Sequence, residues 1–111
     1  MTPELIAEID RLVQDLSQGS YDLVVADGRG GRLTARELER AIHEYGRTVV
    51  AFPSEGLRLV DTFPRANDPT ILALDVPLWT LEEGRSDLML SLTAVVTPDG
   101  YRVTIDDIHV L

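Results

Sequence analysis

The sequence predicts an α+β domain in which two or three N-terminal helices pack on one face of a four- to five-stranded antiparallel meander. Three observations carry this reading. Apolar residues recur at helical spacing as far as Tyr45, the period changes to two from Arg47 onward, and Thr97-Pro98-Asp99-Gly100 supplies a hairpin turn between alternating runs. The 111 residues make a single domain, with 1–46 as the helical part and 47–111 as the sheet. Segregated helices and strands of this kind form two layers around one core.

Thr2 is a helix N-cap and Pro3 fits the first helical position, where its missing N–H costs nothing. Leu5, Ile6, Ile9, Leu12, Val13 and Leu16 then make one apolar stripe, closed by Gly19. Leu23-Val24-Val25-Ala26 is too short for periodicity to decide and reads as a short helix. After the glycine-rich loop 27–33, Thr34 and Glu37 form a capping box, with Leu33 and Leu38 at the staple positions. Leu38, Ala41, Ile42 and Tyr45 are the buried stripe of that helix, and Gly46 fits its left-handed end.

Thr48 to Phe52 reads as a short strand stopped by Pro53, and Leu57 to Arg65 as a less regular one before the turn Asn67-Asp68-Pro69. Leu72, Leu74, Val76 and Leu78 alternate cleanly, as do Leu88, Leu90, Leu92, Ala94 and Val96. Thr80 to Ser86 is the loop between them, with Gly84 its left-handed residue. In the last strand Tyr101, Val103 and Ile105 share one parity while Ile108 and Val110 fall on the other. One extra residue at Asp106-Asp107 would restore a single apolar face, which predicts a β-bulge there.

Composition narrows the function classes. Without Cys there are no disulfides, thiolate zinc sites or cysteine nucleophiles. No apolar run approaches the roughly 18 residues of a membrane span, and Met1-Thr2-Pro3-Glu4 is not a basic signal-peptide start, so the expected location is cytoplasmic, with no membrane partner. Ten basic residues, all Arg, stand against nineteen acidic ones for a net charge of −9. Direct nucleic-acid binding is disfavoured because it needs cations to displace phosphate counterions. An acidic surface favours a basic protein partner, although net negative charge also serves solubility.

Few motifs carry chemistry. The loop Gly28-Arg-Gly-Gly-Arg-Leu-Thr34 leads into a helix N-terminus, where Arg29 and Arg32 would favour an anion, yet it lacks the phosphate-loop ending and the dinucleotide spacing. It reads as a connection. His43 follows Glu39 on a helix face expected to be solvated, and the Asp107–His109 pair lacks a third ligand, so neither metal nor cofactor is expected. Ser86, between Arg85 and Asp87, has no nucleophile elbow and no base at a supporting spacing. Asp75 interrupts an apolar strand and is a general-base candidate if it faces a cavity, whereas on the outer side of a half-buried sheet it simply meets solvent.

The remaining constellation joins Trp79, Glu82, Glu83, Arg85 and Asp87 of the hairpin with Asp106, Asp107 and His109 of the last strand. An antiparallel meander is expected to bring them to one end of the sheet, as a partner-binding surface with Trp79 its aromatic anchor. The structural reading of the same residues pairs Arg85 with Asp106 or Asp107 and places Trp79 in the core. Sequence alone leaves both open.

The stretches LWTLEEGRSDLMLSLT and YRVTIDDIHVL resemble an uncharacterised family of short bacterial proteins, a domain of unknown function with the same hairpin and Asp-Asp-x-His ending. The likeness is strong over roughly the last 40 residues and weak over the helical half. It implies that Trp79, Glu82, Glu83, Gly84, Arg85, Ser86, Asp87, Asp106, Asp107 and His109 belong to the family pattern, without saying whether they fold or bind. Helices followed by a curved antiparallel sheet are also similar to the cone of the nuclear-transport-factor-2 superfamily, which implies a small-molecule-binding or acid–base site inside the cone.

Two functions therefore stand. One is a non-enzymatic cytoplasmic binding protein of the immunity type, neutralising a basic partner such as a toxin. The other is a ligand-binding or acid–base cone, which requires an unfilled concave face and fails if Leu5, Ile9, Leu12, Leu38 and Ile42 fill it. Met89, Val95 and Ile71 fall on the outward parity of their strands, so homodimerisation through that face is a further expectation.

Overall fold

A computed structural model describes all residues, 1–111. Its elements run α1 (Pro3–Ser17), α2 (Tyr21–Ala26), α3 (Ala35–Tyr45), β1 (Val49–Val50), a 3-10 turn (Ser54–Leu59), β2 (Asp61–Arg65), β3 (Asp68–Thr80), β4 (Gly84–Thr97) and β5 (Gly100–Val110). This is the expected α+β architecture, with the helices against one side of a curled antiparallel sheet.

The caps hold as read. Thr2 Oγ1 accepts from Leu5 N at 3.2 Å at the start of α1. At α3, Thr34 and Glu37 satisfy each other's backbone N–H groups, and Gly46 ends the helix at φ 78°. The apolar stripes of α1 and α3 then meet the inward parity of the sheet. Leu5, Ile9, Leu12, Val13, Leu16, Leu38 and Ile42 pack in one cluster with Leu74, Val76, Leu78, Leu88, Leu90, Leu92, Val103 and Ile105. The five helix residues that decide between a filled and an open inner face are each 4% exposed or less.

In the sheet, β3 lies between β4 on one edge and both β1 and β2 on the other. β1 pairs with Trp79 and Thr80, and β2 with the N-terminal half of β3, so segment 51–60 leaves the edge opposite Val76, Pro77 and Leu78. Pro77 has no N–H to offer a neighbour there, which suits an interrupted edge. The strand expected over Leu57–Arg65 is thus half right. Its first part is the 3-10 turn, and the strand begins at Asp61. The strand expected over Thr48–Phe52 shortens to two residues for the same reason. The β3–β4 turn is also tighter than the expected loop: only Leu81, Glu82 and Glu83 lie outside the strands, and Gly84 takes φ 75°.

β5 is an edge strand, and the glycine loop shields its middle. Ile105 N donates to Arg29 O at 2.8 Å, and a Cβ on Gly31 would stand 2.5 Å from Ile105 O. Covering an edge in this way removes a template for unwanted strand pairing.

Candidate functional site

The residues expected to converge divide into two groups. Trp79, Glu82, Glu83, Arg85 and Asp87 lie at the hairpin end. Asp106, Asp107 and His109 lie on the outer face of the sheet, because Ser91 pairs with Asp107 and Met89 with His109. Arg85 and Ser91 are six positions apart along β4, about 20 Å of strand, whereas Asp87 O accepts from Leu111 N and lies two positions from the Met89–His109 pair. Arg85 makes no ion pair; its strand partner is Trp79.

At the hairpin end the carboxylates of Glu82 and Glu83 are engaged within the chain. Thr48 donates to Glu82 through its N–H and its hydroxyl, both at 2.8 Å. Those two bonds stabilise the ionised form and hold the Glu82 carboxyl below its usual range. Glu83 accepts from Tyr45 Oη at 2.8 Å and from Thr80 Oγ1 at 3.1 Å, and the Tyr45 oxygen accepts from Asp87 N at 3.2 Å. Together they fasten the turn to the end of α3 and the start of β1. Trp79 is half-buried under the 3-10 turn rather than presented to solvent: a Cβ on Gly56 would stand 2.7 Å from its Nε1, and one on Gly84 3.4 Å from its Cζ3. Its indole N–H is buried without a hydrogen-bond partner.

Ser86 has a structural task. Pro77 pairs with Met89 but Trp79 pairs with Arg85, so β4 carries extra residues opposite Leu78. The Ser86 hydroxyl fills that irregularity, donating to Leu78 O at 2.8 Å and accepting from Leu88 N at 3.1 Å.

The outer face collects carboxylates that no Arg pairs. The bulge lies where the parity of β5 placed it: Ser91 pairs with Asp107 and Leu92 with Ile105, leaving Asp106 as the extra residue. Thr93 Oγ1 donates to Asp106 Oδ2 at 2.6 Å, so Asp106 shares the outer face with Asp107. Across the sheet Asp61 pairs with Asp75, Asp75 with Ser91, and Ser91 with Asp107, which makes one row over β2 to β5. Ser91 Oγ donates to Asp75 Oδ1 at 3.2 Å. His109 Nδ1 stands 3.0 Å from Asp107 Oδ2, without hydrogen-bond alignment, and no Arg comes within ion-pair reach of the row. Next to the row, Phe63 pairs with Ala73 and is 51% exposed. Of the residues expected to offer an apolar dimer face, Met89 is 8% exposed, while Ile71 and Val95 pair with each other and are half-buried.

Two other candidates resolve. The α3 N-terminus is occupied by its own capping box, and Arg29 is buried, with Nε 2.8 Å from Asp27 Oδ1 and Nη2 2.7 Å from Asp15 Oδ2. Neither is available to an anion. No three His, Cys, Asp or Glu residues are arranged to hold a metal ion.

Sequence reasoning missed Asp61, whose place beside Asp75 depends on strand register, and Tyr45 and Thr48, whose partners lie across the turn. Arg29 was read as loop, and its burial has no local signal.

A family model described as a domain of unknown function, DUF7668, matches residues 13–111. The match reaches back to Val13 in α1, beyond the hairpin and last strand that carry the resemblance in the sequence. No curated protein and no solved structure matches the chain.

Proposed function

The chain belongs to this family, DUF7668, and from the surface it presents we propose that it is a non-enzymatic binding protein whose outer sheet face receives a basic partner. The role that fits is an immunity-type neutraliser acting in a bacterial cytoplasm, its carboxylates occupying the surface a basic toxin uses for phosphate. One observation carries the reading. Asp61 and Asp75 stand directly opposite each other on neighbouring strands, in line with Asp107, and no Arg comes within ion-pairing distance of any of the three. Like charges directly opposite destabilise a sheet, so a protein that keeps them sacrifices stability for something else. The exposed ring of Phe63 beside the row supports an aromatic anchor, in place of Trp79.

The acid–base alternative loses its support from the same geometry. Asp75 points away from the helices, and the inner face that would form a cone is filled by the core.

The test uses the tagged chain as bait, beside an Asp61→Arg/Asp107→Arg variant of unchanged melting temperature. The reading expects the wild type to retain a basic protein that is released by salt, and the variant to lose it. Retention that is indifferent to both reversals overturns it.

A further inference from the structure

We propose that the groove between α2 and α3 is a second binding site, independent of the acidic face, that takes the phosphate group of a small hydroxylated phosphate monoester. The groove, of about 460 Å³, is lined by Tyr21 and Asp22 of α2 and by Arg36, Glu39, Arg40 and His43 of α3. That volume lies within the range of small-ligand sites.

Its donors are unspent. Neither Arg36 nor Arg40 makes a hydrogen bond or ion pair in the chain, although Asp22 and Glu39 line the same groove. The two lie one helical turn apart, where side chains are neighbours and like charges repel. Glu37 lies near enough to Arg40 to feel its charge, yet no carboxylate closes an ion pair with either guanidinium. The third donor is Tyr21. Its residue is 8% exposed, it lines the groove, and its hydroxyl makes no hydrogen bond within the chain. Burial, reinforced by the charge of Glu39, pushes the phenol above its ordinary range, so it carries its proton at neutral pH and can donate. His43 stands at the groove's edge, its Nδ1 4.0 Å from Glu39.

Two guanidinium forks and an imidazole from α3 and a phenol from α2 line one groove, more donors than a planar carboxylate accepts. A tetrahedral phosphate with three terminal oxygens matches them. Asp22 and Glu39 accept hydrogen bonds and repel further negative charge. They therefore favour a ligand that carries hydroxyl groups beside a single phosphate.

The experiment titrates glycerol phosphate into the ¹⁵N-labelled chain and follows amide shifts by NMR. The expected result is saturable movement confined to residues 19–22 and 36–43, with a dissociation constant of about 1 mM or tighter. Arg36→Gln with Arg40→Gln, both at exposed positions, should weaken binding at least about tenfold. Tyr21→Phe keeps the buried ring and should weaken it severalfold. Inorganic phosphate should bind at the same residues more weakly, because it offers the two carboxylates no hydroxyl hydrogens from an attached alcohol. The proposal is overturned by the absence of saturation up to about 10 mM, by shifts that survive the double Gln variant, by equal affinity for inorganic phosphate, or by equal shifts with sodium acetate.

Discussion

Arg29 binds three parts of the chain that sequence separates. Its side chain, 4% exposed, holds Asp15 of α1 and Asp27 at the start of the glycine loop, while its carbonyl oxygen holds Ile105 of β5. A guanidinium this deep is tolerable because two carboxylates replace the water at Nε and Nη2, which leaves only Nη1 buried without a partner. Arg29→Met should therefore cost about 2–3 kcal/mol, towards the lower end for a buried pair because Asp27 is a third exposed. The pH dependence supplies the readout. The hydrogen bond from Arg29 is the largest influence on Asp27 and holds its carboxyl below the ordinary 3.8. A depressed folded-state value means stability that is complete above the unfolded value and lost as pH falls through the folded one. Melting temperature should drop below about pH 4 in the wild type, and the part of that drop due to Asp27 should vanish in Arg29→Met. An acid limb of unchanged depth in the variant would assign the loss to other carboxylates.

At the scale of elements, legibility followed the range of the interactions involved. The capping box of α3 spans three residues and the parity break of β5 only a few, so both were visible in the sequence. The carboxylates of the hairpin were visible but not their task, since Glu82 meets Thr48 over 34 residues and Glu83 meets Tyr45 over 38. The acidic row was invisible as a row. Its members come from β2, β3 and β5, and a one-residue slip in any pairing would turn one of them inward. The 3-10 turn was hidden for a related reason: its apolar residues suit a strand, and what displaces them is a contact of Gly56 with Trp79 and Phe52. A Cβ at Gly56 would stand 2.7 Å from atoms of both rings. Gly56→Ala should consequently lift the turn off β3 at a cost of about 1–3 kcal/mol. Trp79 is the sole Trp, so its fluorescence reports the site directly. A red shift in the folded variant is expected, and an unmoved spectrum with wild-type stability would mean that the turn accommodates the methyl.

For the molecule as a whole, charge and stability pull in opposite directions. A net charge of −9 repels itself, and the row Asp61–Asp75–Asp107 concentrates part of that repulsion on one face. Asp61 is the cleanest place to measure it. It is exposed, it makes no hydrogen bond through its side chain, and its strand partner is another carboxylate. Asp61→Asn removes one charge, keeps the size of the side chain and leaves the Ser91–Asp75 bond intact. The variant should be more stable than the wild type by about 0.2–1 kcal/mol, the usual worth of a like-charged cross-strand pair. Because both groups meet solvent, the gain should shrink as salt is added, although a pair this close lies inside the Debye length and keeps part of its repulsion at physiological ionic strength. Thermal melts in low and moderate salt separate this from a packing effect, which salt would leave alone. The same substitution should weaken capture of the basic partner, so that stability rises as binding falls. If Asp61→Asn lowers stability at low salt, the row is held by interactions that outweigh its repulsion, and the case for charge retained at the expense of stability falls with it.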